Sequence, residues 1–216
     1  MSSSRDLNYT CPYCGREFTI TIYESVNAAE DRDLRDRAVN GDLFHHLCPH
    51  CAHEFLIQND LVYTDPEHKF LIFLSEKDPY ASLQSLAKPL LEKGWKLRRC
   101  SNLKDFAEKI QIFEDGANDI EVELAKYDSF IEFLDNKKGN AEDVSSVDYQ
   151  RTENGVMKIN IRTDDKGMSF LIPVSMLDEA LEENKELYSI DESTFPEINS
   201  SWIISLFTEG EPAGEA

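Results

Sequence analysis

An α+β fold in two parts is predicted for this 216-residue chain: an N-terminal zinc-ribbon-like domain with strands and helices, then a small C-terminal α+β domain with a β-meander. Three observations predict it. Two Cys-Pro-x-Cys turns each feed a strand-like stretch, amphipathic helical segments fill the middle, and short β-rich runs follow a polar interval. The expected boundaries are 1–135 for the metal-binding domain with a helical C-terminal half, 136–146 for a linker, 147–208 for the small domain, and 209–216 for a disordered acidic tail.

The strongest signal is an internal repeat. Residues 11–20 read CPYCGREFTI and residues 48–57 read CPHCAHEFLI, with Cys, Pro, Cys, Glu, Phe and Ile at matching offsets. Phe18 and Phe55 each lie four residues after the second cysteine of their pair. After the first copy, Phe18–Tyr23 alternates apolar and polar residues as a half-buried strand does. A helix should follow, capped by Asn27 and closed by Gly41. Leu43–Leu47 then leads extended into the second copy.

Beyond it, Leu56–Tyr63 and Phe70–Leu74 read as a hairpin around Asp65-Pro66, because proline presets the turn angle and aspartate bonds its own backbone. Asp78–Lys93 is expected to be helical with Pro89 as a kink, Ser101 to cap a helix to about Phe113, and Asn118 to cap another to about Leu134. In the C-terminal part, Val147–Arg151, Val156–Thr163 and Met168–Val174 read as strands separated by turns ending in Gly155 and Gly167. Ser175 and Asp178 suggest a capping box for a helix to about Leu187, and Trp202–Thr208 a final strand.

Composition narrows the function classes. The net charge of −20 repels phosphates, so nucleic acid is an unfavoured partner. The richest apolar run, Phe70–Leu74, is strand-sized, and the start has no apolar leader, so neither a membrane span nor a targeting segment is read and a cytoplasmic location is expected. In a reducing compartment, paired cysteines serve as metal ligands or redox groups rather than disulfides. Zinc takes four tetrahedral ligands, and a two-residue gap lets one turn present two thiolates to the same ion. Cys11, Cys14, Cys48 and Cys51 therefore predict one structural Zn2+ with a closed shell. Two other readings stand beside it. A redox dithiol would need only one pair, at a helix N-terminus, and His50 or His53 is placed to replace one cysteine as a ligand.

These residues carry a resemblance. The chain resembles the bacterial and archaeal CpXC-domain proteins through Cys11-Pro-Tyr-Cys-Gly15, Cys48-Pro-His-Cys51, Gly41-Asp-Leu-Phe44 and Leu-Val-Tyr-Thr-Asp-Pro66. The stretches around Glu108–Ile110 and Phe113–Gly116 are similar as well, so the likeness covers roughly residues 8–135. It implies the metal site and no activity.

Other candidates are weaker. Asp65, Glu67 and His68 form the nearest approach to a catalytic cluster, although a turn explains Asp-Pro without chemistry. His45 and His46 should point to opposite faces of a strand. Cys100 reads as a small buried hydrophobe, and Lys93, Lys96, Arg98 and Arg99 with Trp95 form the one basic cluster. Catalytic and cofactor-binding residues are therefore assigned as none. The expected function is a zinc-stabilised interaction or scaffold module for a protein partner. The alternatives are an enzyme, for example a hydrolase, with unrecognised catalytic residues and, more distantly, a zinc-ribbon reader of nucleic acid.

Overall fold

A computed structural model describes all residues except 136–139, 154, 165 and 209–216. The expected acidic tail and the first part of the expected linker thus lie outside the described residues. The fold is α+β, with six helices and three sheets among the described residues. It comprises two compact units, one formed by residues 1–111 with 191–197, the other by 112–190 with 198–216.

The first unit begins with a hairpin of β1 (Ser3–Thr10) and β2 (Glu17–Asn27), whose connection carries the first cysteine pair. Asn27 does not cap the next helix. It ends β2 opposite Thr64, and its Oδ1 accepts from Ala29 N at 3.1 Å, so the chain turns before α1 (Arg32–Asn40) begins. Gly41 closes α1 with φ 81°, as expected, because only glycine takes that conformation without Cβ cost. A second, shorter hairpin of β3 (His45–Leu47) and β4 (Glu54–Leu56) carries the second pair.

The core lies further along. β5 (Leu61–Asp65) and β6 (Phe70–Leu74) form the expected hairpin, followed by α2 (Ala81–Leu91), β7 (Lys96–Cys100) and α3 (Leu103–Glu114). Pro89 falls in the last turn of α2, where few backbone bonds depend on its missing N–H. Asn102, rather than Ser101, caps α3, accepting from Asp105 N at 2.9 Å. The sheet order is β1-β2-β5-β6-β7, with β2/β5 and β6/β7 parallel and the other pairs antiparallel.

All five residues of β6 are buried, which requires cover on both faces. On one face, Leu71 and Phe73 pack with Leu83 and Ala87 of α2, Leu97 of β7, and Phe195 from the returning segment 191–197. On the other, Phe106 of α3 meets Tyr63 and Phe44 edge-on, with ring centroids 5.9 and 6.2 Å apart. Cys100 is buried at the end of β7, consistent with its reading as a small hydrophobe.

β7 itself changes the meaning of the basic cluster. Arg98 is 1% exposed, and its guanidinium donates to both carboxylate oxygens of Glu192, Nη2 to Oε1 at 3.1 Å. Arg99 pairs with Glu197 at 3.1 Å. These two arginines hold segment 191–197 against the sheet instead of forming an exposed basic patch.

The second unit contains α4 (Asp119–Asp135), β8 (Val144–Arg151), β9 (Val156–Thr163), β10 (Gly167–Pro173), α5 (Val174–Glu183) and α6 (Ser200–Thr208). Asn118 caps α4 as expected, its Oδ1 accepting from Ile120 N at 3.1 Å. The predicted meander is present with β9 central, and Met157, Ile159 and Ile161 present its buried face. α4 packs against this meander and against α5 and α6, within the second compact unit. β10 runs directly into α5 at Pro173, without the Ser175 capping box. Trp202–Thr208 is helical, not a strand. Asn199 Oδ1 accepts from Trp202 N at 3.0 Å, and that cap together with burial of Ile203 overrides the β-branched composition.

Candidate metal centre

Each Cys-Pro-x-Cys turn folds the same way for the same local reasons. In the first, Cys11 N donates to Arg16 O and Gly15 N to Cys11 O, both at 2.9 Å; in the second, Cys48 N donates to His53 O and Ala52 N to Cys48 O, again at 2.9 Å. The proline after each first cysteine needs no partner for its missing N–H, and its fixed φ narrows the turn. The residue after each second cysteine must then adopt a left-handed backbone. Gly15 does so at φ 72° and Ala52 at φ 57°.

An aromatic cluster brings the two turns together. Phe18 and Phe55, the repeat's matched phenylalanines, meet at 6.0 Å. Tyr9 lies across from Phe18 in its hairpin, as His46 lies across from Phe55. Their ring separations are 6.1 and 5.8 Å, and Tyr9 also stacks on Phe55 at 5.0 Å. The arrangement is a local pseudo-twofold in which each hairpin supplies one cysteine pair and one phenylalanine.

The sulfurs obey the same symmetry. Cys11 Sγ lies 3.7 Å from Cys51 Sγ and Cys14 Sγ lies 3.8 Å from Cys48 Sγ. All four sulfurs fall within 4.8 Å of one another. A tetrahedral ion with metal–sulfur bonds of about 2.3 Å requires sulfur–sulfur edges of about 3.8 Å. The four cysteines could therefore hold one metal ion. Nothing is wasted in reach: Cys11 and Cys48 are buried, while Cys14 and Cys51 are more open.

Their acidities point the same way. Burial raises the Cys11 thiol, but backbone N–H groups of Cys14 and Tyr13 and the neighbouring sulfurs of Cys48 and Cys14 favour its thiolate and bring it down to about 7. At Cys51 the His53 N–H favours the thiolate, yet burial and the adjacent Cys48, Cys11 and Cys14 together push it up to about 12. Four thiolates at these distances repel one another, and a shared cation is what lets them ionise together.

The neighbouring histidines do not enter this set. His53 stacks on Tyr13 at 4.1 Å, and His50 lies edge-on to Phe18 at 6.4 Å. His45 is exposed while His46 is turned inward, as alternation along β3 requires. Burial, with the cations of Arg37 and His45, holds His46 below the usual imidazole range. The repeat located the cysteines and phenylalanines; Tyr9 and the whole of β1 were missed, because Ser3–Asn8 carries little apolar alternation.

The weaker cluster is partly assembled. Asp65 accepts the N–H groups of Glu67 at 2.8 Å and His68 at 3.1 Å, and its other oxygen meets His68 Nδ1 at 2.7 Å. The Glu67 carboxylate, by contrast, forms no hydrogen bond or ion pair with either of them among the described residues.

The two turns also predict opposite responses to one substitution. A left-handed residue with a Cβ costs roughly 1–2 kcal/mol, offset by the roughly 0.5–1 kcal/mol of extra backbone entropy that glycine loses on folding. Ala52→Gly should therefore stabilise the metal-loaded protein slightly, by up to about 1 kcal/mol. Gly15→Ala should destabilise it by about as much, since open space surrounds the new Cβ and only the backbone responds. Urea denaturation of the two variants checks this; shifts of the same sign would refute it.

A protein-family model described as CpXC protein matches residues 9–126, more than half of the chain. No curated protein and no solved structure matches. The matched stretch begins two residues before Cys11 and carries both turns with Tyr9, Phe18 and Phe55 that pack between them, and on that match the chain belongs to the CpXC family.

Proposed function

We propose that Cys11, Cys14, Cys48 and Cys51 bind one zinc ion as thiolates, that the ion is structural, and that the hairpins it joins form an interaction module for another protein in the cytoplasm. The observation that carries the metal reading is the pair of 3.7 and 3.8 Å sulfur edges, which suit a closed ZnS4 tetrahedron. Four thiolates leave no position for water or substrate, which favours a structural over a catalytic ion.

The partner reading rests on what the hairpins expose. Leu47 and Leu56 are 57% and 51% exposed, and their register places them on one face of the β3–β4 hairpin. Tyr13, on the first turn, is 60% exposed. Apolar side chains displayed on so small a metal-held element suit a protein surface better than a polyanion. The net charge of −20, with Arg98 buried and Arg99 paired, argues against nucleic acid. Among the described residues no helix is long and apolar enough to cross a membrane.

An enzyme has one observation in its favour, the Asp65–His68 pair. Among the described residues that line the cleft beside it there is no serine, threonine, cysteine or lysine for the imidazole to activate, which argues against covalent catalysis through a hydroxyl, thiol or amine there.

Affinity capture on the tagged full chain tests the partner reading. The partner should be retained by metal-loaded wild type, released by chelator, and absent with Leu47→Glu/Leu56→Glu. Equal retention by the double variant, with its metal still bound, would overturn the assignment of this face.

A further inference from the structure

Between α1 and the β5–β6 turn lies a cleft of about 390 Å3, lined by Arg32, Arg35, Asp36, Asp65, Glu67 and His68. The turn alone accounts for two of the contacts Asp65 makes. Its Oδ1 accepts the N–H groups of Glu67 and His68, which completes an aspartate-nucleated turn. The third contact is not needed for that. Asp65 is 4% exposed, and burying a carboxylate is costly unless it is fully bonded; its Oδ2 is held by His68 Nδ1 at 2.7 Å. That bond fixes the imidazole plane and commits Nδ1 as a donor, leaving Nε2 for another group.

The guanidinium groups complete the picture. Arg35 is held beside Asp36 at 2.6 Å. Arg32 is exposed and forms no hydrogen bond or ion pair with the described residues. The described residues here include no set of three metal-ligating side chains; the one such set is the four cysteines. Of the three carboxylates in this lining, Asp65 is bonded within its turn and to His68, and Asp36 is paired with Arg35, so the Arg32 guanidinium and the imidazole are opposed only by Glu67; planar N–H forks fit phosphate oxygens in pairs.

We propose that this cleft binds a small phosphate-bearing ligand, with Arg32 as its main charge partner, Arg35 as the second guanidinium, and His68 meeting the phosphate through Nε2, as a donor when the ring carries both protons. Asp36 and Glu67 face the same space. The first is balanced by Arg35, whereas the Glu67 carboxylate opposes an anion and limits its affinity.

The probe is inorganic phosphate, titrated into the metal-loaded full chain at constant ionic strength with chloride as the balancing anion, and read by NMR of the arginine Nε–H and histidine ring signals. The expected result is saturable binding in the millimolar range that moves the Arg32 and His68 signals together. Arg32→Ala, an exposed position whose loss leaves the fold intact, should weaken it by about tenfold or more. Glu67→Gln should tighten it severalfold, a gain that loss of folding cannot imitate. Glycerol 2-phosphate, at equal ionic strength, should compete, because the phosphate group alone is recognised. Non-saturating shifts, equal affinity in Arg32→Ala, or no tightening in Glu67→Gln would overturn the proposal.

Discussion

Chelating the metal should melt the β3–β4 hairpin and the two cysteine turns while leaving β5, β6 and β7 folded. β3 and β4 have three residues each, and a lone hairpin of that length is not stable in water. What holds it is the Phe55 contact with Tyr9 and Phe18 and, on the proposed reading, an ion shared by the four cysteines. Structural zinc is worth roughly 10–16 kcal/mol apparent in small peptides, at or above the 5–15 kcal/mol that stabilises a whole domain. No aromatic contact of about 1 kcal/mol replaces it. The fully buried β6, by contrast, draws on a core that contains none of the four cysteines. Hydrogen exchange separates these outcomes. The amides of Cys11, Gly15, Cys48 and Ala52, protected by the turns' own hydrogen bonds, should lose protection on chelation, while those of Phe70–Leu74 keep it. Serine at any one of the four cysteine positions should do the same, and Cys100→Ser should leave one ion per chain. A metal content near zero in the purified protein, oxygen in the first shell, or unchanged turn amides after chelation would sink the closed-site reading.

The cysteine turns were legible because everything that shapes them is local. Cysteine spacing, the following proline and the left-handed residue all lie within a decapeptide, and the repeat at 48–57 doubled the signal. The same holds for the β5–β6 hairpin, written in Asp65-Pro66, and for α4, written in Asn118. What the sequence concealed depends on distant partners. Leu97-Arg98-Arg99-Cys100 does not read as a strand, since two adjacent arginines break any apolar alternation. Arg98 is nevertheless buried, because Glu192 arrives 94 residues later to receive its charge. The cleft at Arg32 was hidden for a similar reason. Its histidine lies in one local turn and its arginines on a helix that precedes it by some thirty residues, and neither segment alone spells a ligand. α6 failed differently: Trp202, Ile203 and Ile204 favour a strand by propensity, and the Asn199 cap was outweighed in a window of only nine residues.

Phe195→Ala should destabilise the first unit by about 3–5 kcal/mol, the cost of deleting a buried phenyl ring from a core that collapses only in part. Phe195 is 2% exposed and packs with Leu71, Phe73, Leu83, Ala87 and Leu97, so it seals one face of the central strand from a position beyond the family-matched stretch. The protein keeps it there despite a left-handed backbone at φ 55°, which costs a residue with a Cβ roughly 1–2 kcal/mol. The surrounding bonds outweigh that strain: Arg98 to Glu192, Arg99 to Glu197, Ser101 N to Glu197 Oε1 at 2.9 Å, and Arg99 N to Pro196 O at 3.3 Å. Glu192→Ala should also destabilise this unit, because it takes a carboxylate away from the buried Arg98 guanidinium. Phe207→Ala serves as the control, since that ring is 38% exposed and stacks only on Tyr127 among the ring contacts described. Urea denaturation should show lower midpoints for Phe195→Ala and Glu192→Ala at unchanged m-value, with a fall in Tm of roughly 10 °C, and a much smaller shift for Phe207→Ala. If Phe195→Ala costs less than about 1 kcal/mol, residues 191–197 are an accessory to the sheet rather than part of its core.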